Sequence, residues 1–459
     1  MISNFPKISG VFWAGSEEEF IIIIIENLSE IYPAADEEVI ENGYIVLKED
    51  EILSVGAMDD EKHGNIQRNL QKDNSSPRKI SGENMIAMPG MINTHTHTGM
   101  SILRGYADDL ELMTWLQDKI WPMEAKMTAE DIEWGCRLAV LEMIKNGITA
   151  FNDMYFSMDR VARVVEKAGM RAQLGYGLIQ ENDGQKGLDY SREFIESYHN
   201  QSEGRLTCNV APHAPYTCGQ NYLKRVLDIA EDYGVNIHIH VSETENEVED
   251  FKNSKGLSPV AYLDKLGMFE QDVIAVHCVH VSREDIELLA KRGAAVSHNP
   301  SSNTKLASGI APVKEMREEG ITVALGTDSS ASNNSLDMVS EARMASYLQK
   351  VSCGDPTALD LNELFAMVTS EAAEVLGFEK VGRLEPGWKA DLILVDKDKT
   401  PEFYPENNSI SNLFYASGNN QVSSVYVDGK EIMYDGEVKT LEEEAIFAEI
   451  NNRAKKLLE

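Results

Sequence analysis

Two histidines stand two residues apart in the run Asn93-Thr94-His95-Thr96-His97. In an extended strand that spacing puts both rings on one face, about 6.6 Å apart at ~3.3 Å per residue. Imidazoles turned into a protein interior lose hydration without compensation unless they share a ligand. A divalent cation, accepting nitrogen at roughly 2.0–2.1 Å, satisfies both. The segment NIHIHVSET offers His238 and His240, with His240 nearer the strand end and Glu243 just beyond. His238 shares the face of His240 but lies deeper, the position of a packed, hydrogen-bonded histidine. ALGTDSSASNN offers Asp328. Three neutral imidazoles and one carboxylate leave room for a water, as an open catalytic site requires. A metal there lowers the pKa of that water from about 15.7 to about 7. A two-metal centre would need a bridging carboxylate or a modified lysine near the fourth strand, where APHAP carries His213 instead. One divalent metal ion per chain is therefore expected.

These residues follow a rhythm. From residue 90 onward short apolar runs alternate with helix-like segments, and several helices end at a glycine that supplies the left-handed cap before the next strand. MIKNG/ITAFND, EKAG/MRAQLGYG, EDYG/VNIHIHV, AKRG/AAVSHNP and REEG/ITVALGTD show the pattern; MINTHTH, LTCNVAPHAP and VIAVHCVH bring the strand-like runs to eight. Thr128-Ala129-Glu130-Asp131 and Ser282-Arg283-Glu284-Asp285 are capping boxes that mark helix starts, and Ile132, Cys136, Ala139 and Met143 would line one face of the first. Strands followed by crossover helices imply a parallel sheet. Eight such units predict an α/β fold, a (β/α)8 TIM-type barrel over residues 89–380, with a doubly wound open sheet as the alternative. Chemistry in such a barrel gathers at the C-terminal strand ends. His95, His97, His213, His238, His240, His277 and His298, seven of the ten histidines, fall in these runs or at their last residues. Cys278 and His280 read as structural; Asp153, His298 and Asn299 end runs near the site with no chemistry assigned.

Residues 19–88 and 381–440 read as strands and turns that pair into a small composite β-sandwich domain built from both chain ends, with a polar, mobile insertion at 65–79. Residues 1–18 form an N-terminal extension. Residues 441–459 form an amphipathic helix, docked on this chain or on a sister copy. The 459 residues, 42% apolar and 26% charged, suit a globular fold with a sizeable core. The formal net charge of -34 repels nucleic acid and anionic membrane, so neither is expected as a partner. The run Phe20–Ile25 is far short of the ~20 residues that span a bilayer, and the first residues lack a signal-peptide pattern. Five cysteines with no CxxC pair suit reduced thiols and a cytoplasmic location.

The ordered motifs PGMINTHTHTGMSILRGYADDL, WLQDKIWPMEAK, APHAPYTC, HVSETENEV, VIAVHCVH, SHNPSSNTKLASGIAP, GTDSSASNNSLDM and LEPGWKADLILVD resemble the amidohydrolase superfamily. Within it they resemble the 5-methylthioadenosine/S-adenosylhomocysteine deaminase family, from about residue 20 to the C-terminus. The resemblance implies that His95, His97, His240 and Asp328 hold zinc, with iron possible. It implies hydrolytic conversion of an adenine nucleoside (5′-methylthioadenosine, S-adenosylhomocysteine, adenosine or 5′-deoxyadenosine) to the inosine analogue plus ammonia. Glu243 would shuttle protons while hydroxide attacks C6, His277 would orient the attacking group, and His213 would contact the substrate beside Glu243 and Asp328. Glu124 would accept the ribose hydroxyls and Trp115 would wall the nucleoside pocket. On the residues alone, Glu124 reads as an exposed helix carboxylate and Trp115 as a core anchor. A homo-oligomer, dimer or tetramer, is implied as well. Two alternatives stand beside this: a relative acting on guanine, a pterin or a triazine, and a barrel that has lost catalysis and serves as a scaffold.

One departure concerns the substrate. Members acting on S-adenosylhomocysteine can carry arginines after the third strand, suited to its carboxylate. Here Tyr176 stands where one would fall, with Arg171 at the strand's start and Arg192 well beyond its end. Ser329 replaces the usual glycine after GTD, with a small expected effect.

Overall fold

The computed structural model describes residues 22–72, 77–418 and 421–459. The N-terminal extension expected at 1–18 lies outside the described residues. Eight strand positions carry the α/β part: β1 (Met91–Thr96), β2 (Ile148–Tyr155), β3 (Arg171–Leu178), β4 in two pieces (Leu206–Cys208 and Ala211–Pro212), β5 (Ile237–Val241), β6 (Val273–His277), β7 (Ala295–His298) and β8 (Val323–Leu325). Every pairing among them is parallel. One ladder joins β1, β2, β3 and β4, and a second joins β5, β6, β7 and β8. Isolated parallel bridges link the two, Val210 to Ile237 at one end and Thr96 to Asp328 at the other.

The helix signals in the sequence operate as expected. Thr128 with Asp131 and Ser282 with Asp285 form reciprocal capping boxes at Ala129–Lys145 and Arg283–Arg292. Gly169, Gly234 and Gly293 end their helices at φ 79°, 62° and 68°, a region that costs a side-chain-bearing residue about 1–2 kcal/mol. Ile132, Cys136, Ala139 and Met143 are buried on one face. The fourth strand breaks at Asn209-Val210, where the Asn209 amide donates inward to Asn152 (2.9 Å) and Gln173 (3.2 Å). A polar side chain pulled into the centre interrupts the run that LTCNVAPHAP suggests.

Both chain ends build one nine-stranded sheet. Leu392–Asp396 lies antiparallel between Met85–Pro89 and Val422–Val427, and Ile22–Ile31 pairs with Ile40–Lys48. Alternate residues of Ile22–Ile31 face opposite sides. Ile23, Ile25 and Leu28 pack with Leu392, Leu394 and Tyr426, while Ile22 and Ile24 pack with Tyr44 and Val46. The segment 65–79, expected as a polar, mobile insertion, carries secondary structure in its described residues. Its described residues continue a helix, Glu61–Lys72, and then enter a strand, Arg78–Ser81, that pairs parallel to Ile22–Ile31. A four-residue polar edge strand has too little alternation to be legible. The terminal helix Glu443–Leu458 docks on this chain, with Arg453 on Asp131 (2.9 Å) and Lys145 on Glu443 (2.7 Å). Among the described residues no helix is long and apolar enough to cross a membrane.

A buried ionic knot ties the sheet to the start of β3. Arg171, 3% exposed, donates to both oxygens of Asp391 (2.8 and 3.2 Å) and to Asp428 (2.5 Å). Removing one member of such a group strands the others in low dielectric, which costs about 3–5 kcal/mol. Arg171→Met is expected to lose that much in a urea melt. Adding Asp391→Asn and Asp428→Asn should return most of it; a single variant as stable as the parent would refute the coupling.

Candidate active site

The C-terminal strand ends carry the polar residues. His95 is the fifth residue of β1 and His97 follows the strand, with ring centroids 4.7 Å apart. His240 comes from β5, and Asp328 follows β8, its N–H bonded to the His95 carbonyl at 2.9 Å. The outer nitrogens converge: His95 Nε2 lies 3.3 Å from His240 Nε2 and 3.4 Å from Asp328 Oδ1, and His97 Nε2 lies 3.3 Å from the same oxygen.

The inner nitrogens are already engaged. His97 Nδ1 bonds to the Met154 carbonyl at 2.5 Å and His240 Nδ1 to the His213 carbonyl at 2.6 Å, while His95 Nδ1 meets His238 Nε2 at 3.0 Å. His238 is thus a hydrogen-bonded partner behind the site. Bonds of this kind turn each Nε2 lone pair inward, the usual orientation of metal-binding imidazoles. Two facing lone pairs at 3.3 Å repel without a cation, and the nitrogen and oxygen donor set suits zinc. The residues therefore fit one divalent ion. Their charges are interdependent. Burial lowers the His97 pKa, but the hydrogen bond and charge of Asp328 outweigh it and bring it to about 9. Burial holds His95 down at about 3. Asp328 lies well below the carboxylate range, because His95 and His97 outweigh its burial.

Glu243 and His277 flank this cluster, with His277 Nε2 3.7 Å from Glu243 Oε2. Glu243 is buried, and desolvation plus the Asp328 charge push it up to about 8, against the pull of His97. His213 also borders the cavity, its pKa lowered to about 4 by burial and by His97. A cavity runs from these groups past Tyr155 and Phe156 to Trp115 and Glu124. Tyr155 donates its hydroxyl to Glu124 at 2.6 Å, and Trp115 anchors its indole N–H on the Ala107 carbonyl at 3.1 Å. All nine residues singled out from the sequence line this cavity or its metal-fitting floor. Asp153 takes a supporting place, accepting the Thr98 N–H at 2.8 Å where the chain leaves His97.

Other supports escape sequence reading. Glu247, a first-turn acid of Glu245–Lys255, accepts the Ser242 N–H (3.0 Å) and the Glu243 N–H (2.8 Å), and so fixes the turn that presents Glu243. Asp328 receives Ser302 Oγ (2.5 Å), Ser332 Oγ (2.9 Å) and the Ser329 N–H (2.8 Å). Ser242, His277 and Asp328 have φ values of 53°, 72° and 60°. Left-handed backbone at non-glycine residues costs about 1–3 kcal/mol each and concentrates at functional sites.

A family model described as the amidohydrolase family matches residues 86–432, and the chain belongs to that family. It is 44% identical over 437 residues to the 5-methylthioadenosine/S-adenosylhomocysteine deaminase of Halothermothrix orenii, covering 95% of this chain and 100% of that one. The protein of the same name from Pelotomaculum thermopropionicum is 46% identical over 437 residues, covering 95% and 99%. Within the amidohydrolases, this chain is a member of that deaminase family. Among solved structures, an adenosine deaminase from Xanthomonas campestris with bound zinc matches with a TM-score of 0.88 at 33% identity, covering 95% of this chain and 98% of that one.

Proposed function

We propose that this chain is a zinc-dependent deaminase that converts an adenine nucleoside to its inosine analogue and ammonia. The observation that carries the reading is one cavity with two chemically distinct ends. Converging nitrogen and oxygen donors beside a buried carboxylate lie at one end, and Glu124 with Trp115 lies at the other. His95, His97, His240 and Asp328 would hold the ion. When bound, zinc supplies Lewis-acid activation of a water, lowering its pKa to about 7. Glu243 takes one proton from the water and passes it to the ring nitrogen, then passes the second, from the hydroxyl newly bonded to C6, to the amine, which leaves as ammonia as the carbonyl forms. His277 orients the attacking water, and His213 contacts the base. Glu124 accepts the ribose hydroxyls, and Tyr155 fixes its direction.

The same reading makes residues 89–380 a closed (β/α)8 barrel, supported by the two bridges that link its ladders at both ends. It makes the chain-end strands a composite sandwich, supported by the apolar cluster that Ile25 and Leu392 share. A cytoplasmic enzyme is supported by five cysteines that are all free thiols.

The place for a 5′ substituent, beyond Glu124 and Phe156, presents Tyr176, Tyr190, Asp159, Asp183 and Lys186, with no guanidinium among the described lining residues. Arg171 is committed to Asp391 and Asp428, and Arg192 to Asp232 at 2.7 Å. An absorbance assay with adenosine, 5′-methylthioadenosine, 5′-deoxyadenosine, S-adenosylhomocysteine, guanine, a pterin and a triazine tests the function. Nucleosides with an uncharged 5′ group should give the highest kcat/KM. Faster turnover of guanine, the pterin or the triazine would overturn the reading. Glu124→Ala should raise KM for nucleosides by about 10- to 100-fold, the equivalent of a lost hydrogen bond to a charged group. Free adenine should be affected far less, and equal changes would remove the ribose contact.

A further inference from the structure

Two amides reach the inner nitrogen of His277, and they call for opposite tautomers. Asn303 Oδ1, an acceptor, lies 2.8 Å from His277 Nδ1, whereas Asn299 Nδ2, a donor, lies 3.3 Å from the same atom. One ring nitrogen carries either a proton or a lone pair, so only one of these contacts is a hydrogen bond. The Asn303 contact is the shorter of the two, and hydrogen bonds weaken with length. The Asn299 amide also has the Ser297 carbonyl at 3.4 Å as another acceptor. We propose that Asn303 is a positioning residue that holds His277 in the tautomer protonated on Nδ1, leaving Nε2 as a lone pair aimed into the cavity. This rests on the reading of His277 as the group that orients the attacking water.

The choice of tautomer decides what His277 can do. With a lone pair on Nε2, the ring accepts a hydrogen from the attacking water and turns the water's oxygen toward the ring carbon. With a proton there, Nε2 would donate toward the carboxylate of Glu243, 3.7 Å away. That would leave the water unoriented and engage the group that must carry its proton.

Asn303 is built into its place. It is 1% exposed, and its own N–H bonds to the Asn299 carbonyl at 3.0 Å. It sits on the single-turn helix Pro300–Lys305, next to Ser302, which donates to Asp328. Glu341, fully buried behind this turn, accepts the Ser301 N–H at 3.2 Å and the Asn333 amide at 2.6 Å. Adjacent residues of one turn therefore reach two different residues of the site.

Long-range ¹H–¹⁵N spectra of the zinc-loaded full chain, with labelled histidines and His277 assigned against His277→Gln, test this. The parent should show His277 protonated on Nδ1 and bare on Nε2. Asn303→Leu, which keeps the bulk and removes the acceptor, should invert the tautomer. Its kcat should fall roughly 10- to 100-fold, the usual cost of losing such a supporting partner, with zinc content and KM unchanged. Asn303→Asp keeps the acceptor and should retain the tautomer and most of the rate. A parent protonated on Nε2, or an unchanged tautomer in Asn303→Leu, would overturn the proposal. Should the Leu variant not fold, the parent and Asp spectra alone decide. The tautomer is read without substrate, so an inverted ring with undiminished kcat would overturn the role of His277 itself, a separate failure.

Discussion

Glu243→Gln is expected to match the parent in zinc content and to lose about 10²- to 10⁴-fold in kcat, the range that general acid–base assistance supplies. The substitution keeps shape and packing at a buried position and removes only the ability to take up and release a proton. The backbone N–H of residue 243 would still bond to Glu247 at 2.8 Å, so the turn should hold. The pH profile gives a second check. Burial, aided by Asp328, pushes Glu243 up to about 8 before any cation is considered, and a bound cation favours the carboxylate and moves that value down. The attack step requires the ionised form, so kcat/KM of the parent should rise with pH along a limb lying below about 8. In Glu243→Gln the residual rate should lack that limb. Metal analysis, steady-state kinetics from pH 5 to 9, and a parent-level rate in the variant as the refuting outcome complete the test.

The legible part of this protein was what repeats. Strand alternation puts His95 and His97 on one face, and His238 and His240 on another, whatever surrounds them. The glycine-ended helices mark where each next strand must start. That a strand end carries His240, His277 or Asp328 follows from counting. What could not be counted is contact across distant segments. Glu247 looks like any acidic residue in a helix's first turn, and its value lies in two backbone N–H groups at Ser242 and Glu243 that have no side-chain signature. Asn303 and Ser302 sit in a polar stretch, and only the fold brings them to His277 and Asp328. Positive φ at His277 and Asp328 leaves no trace in residue type, since neither is glycine. The nine-stranded sheet interleaves residues some 300 positions apart, as in Leu392 opposite Pro89, a pairing that local pattern cannot specify.

Asp328→Asn separates binding of the ion from proton transfer, and its effect should be as large as that of Glu243→Gln but arise differently. Asp328 is the one anionic member of the proposed donor set: Ser302 and Ser332 hold Oδ2, while Oδ1, which faces His95 and His97, also takes the Ser329 N–H. An asparagine of the same shape has a single acceptor oxygen. If that oxygen faces the serines, an amide NH₂ faces His95 and His97; if it faces the histidines, two buried serine hydroxyls lose their acceptor. Either outcome removes a negative charge that attracts a dication at close range in a poorly screened interior. Zinc content is expected to fall well below one per chain. Losing several kcal/mol of Lewis-acid stabilisation would lower kcat/KM by at least about 10³-fold. Stability should fall too, because an ion that binds only the folded chain adds about 4 kcal/mol when present at 1,000 times its Kd. Added zinc should therefore raise the Tm of the stripped parent and leave that of Asp328→Asn almost unmoved. The contrast between the two variants is decisive: Glu243→Gln should be inactive and loaded, Asp328→Asn inactive and empty. Full zinc content in Asp328→Asn would remove this aspartate from the donor set and leave the ion to the three histidines alone.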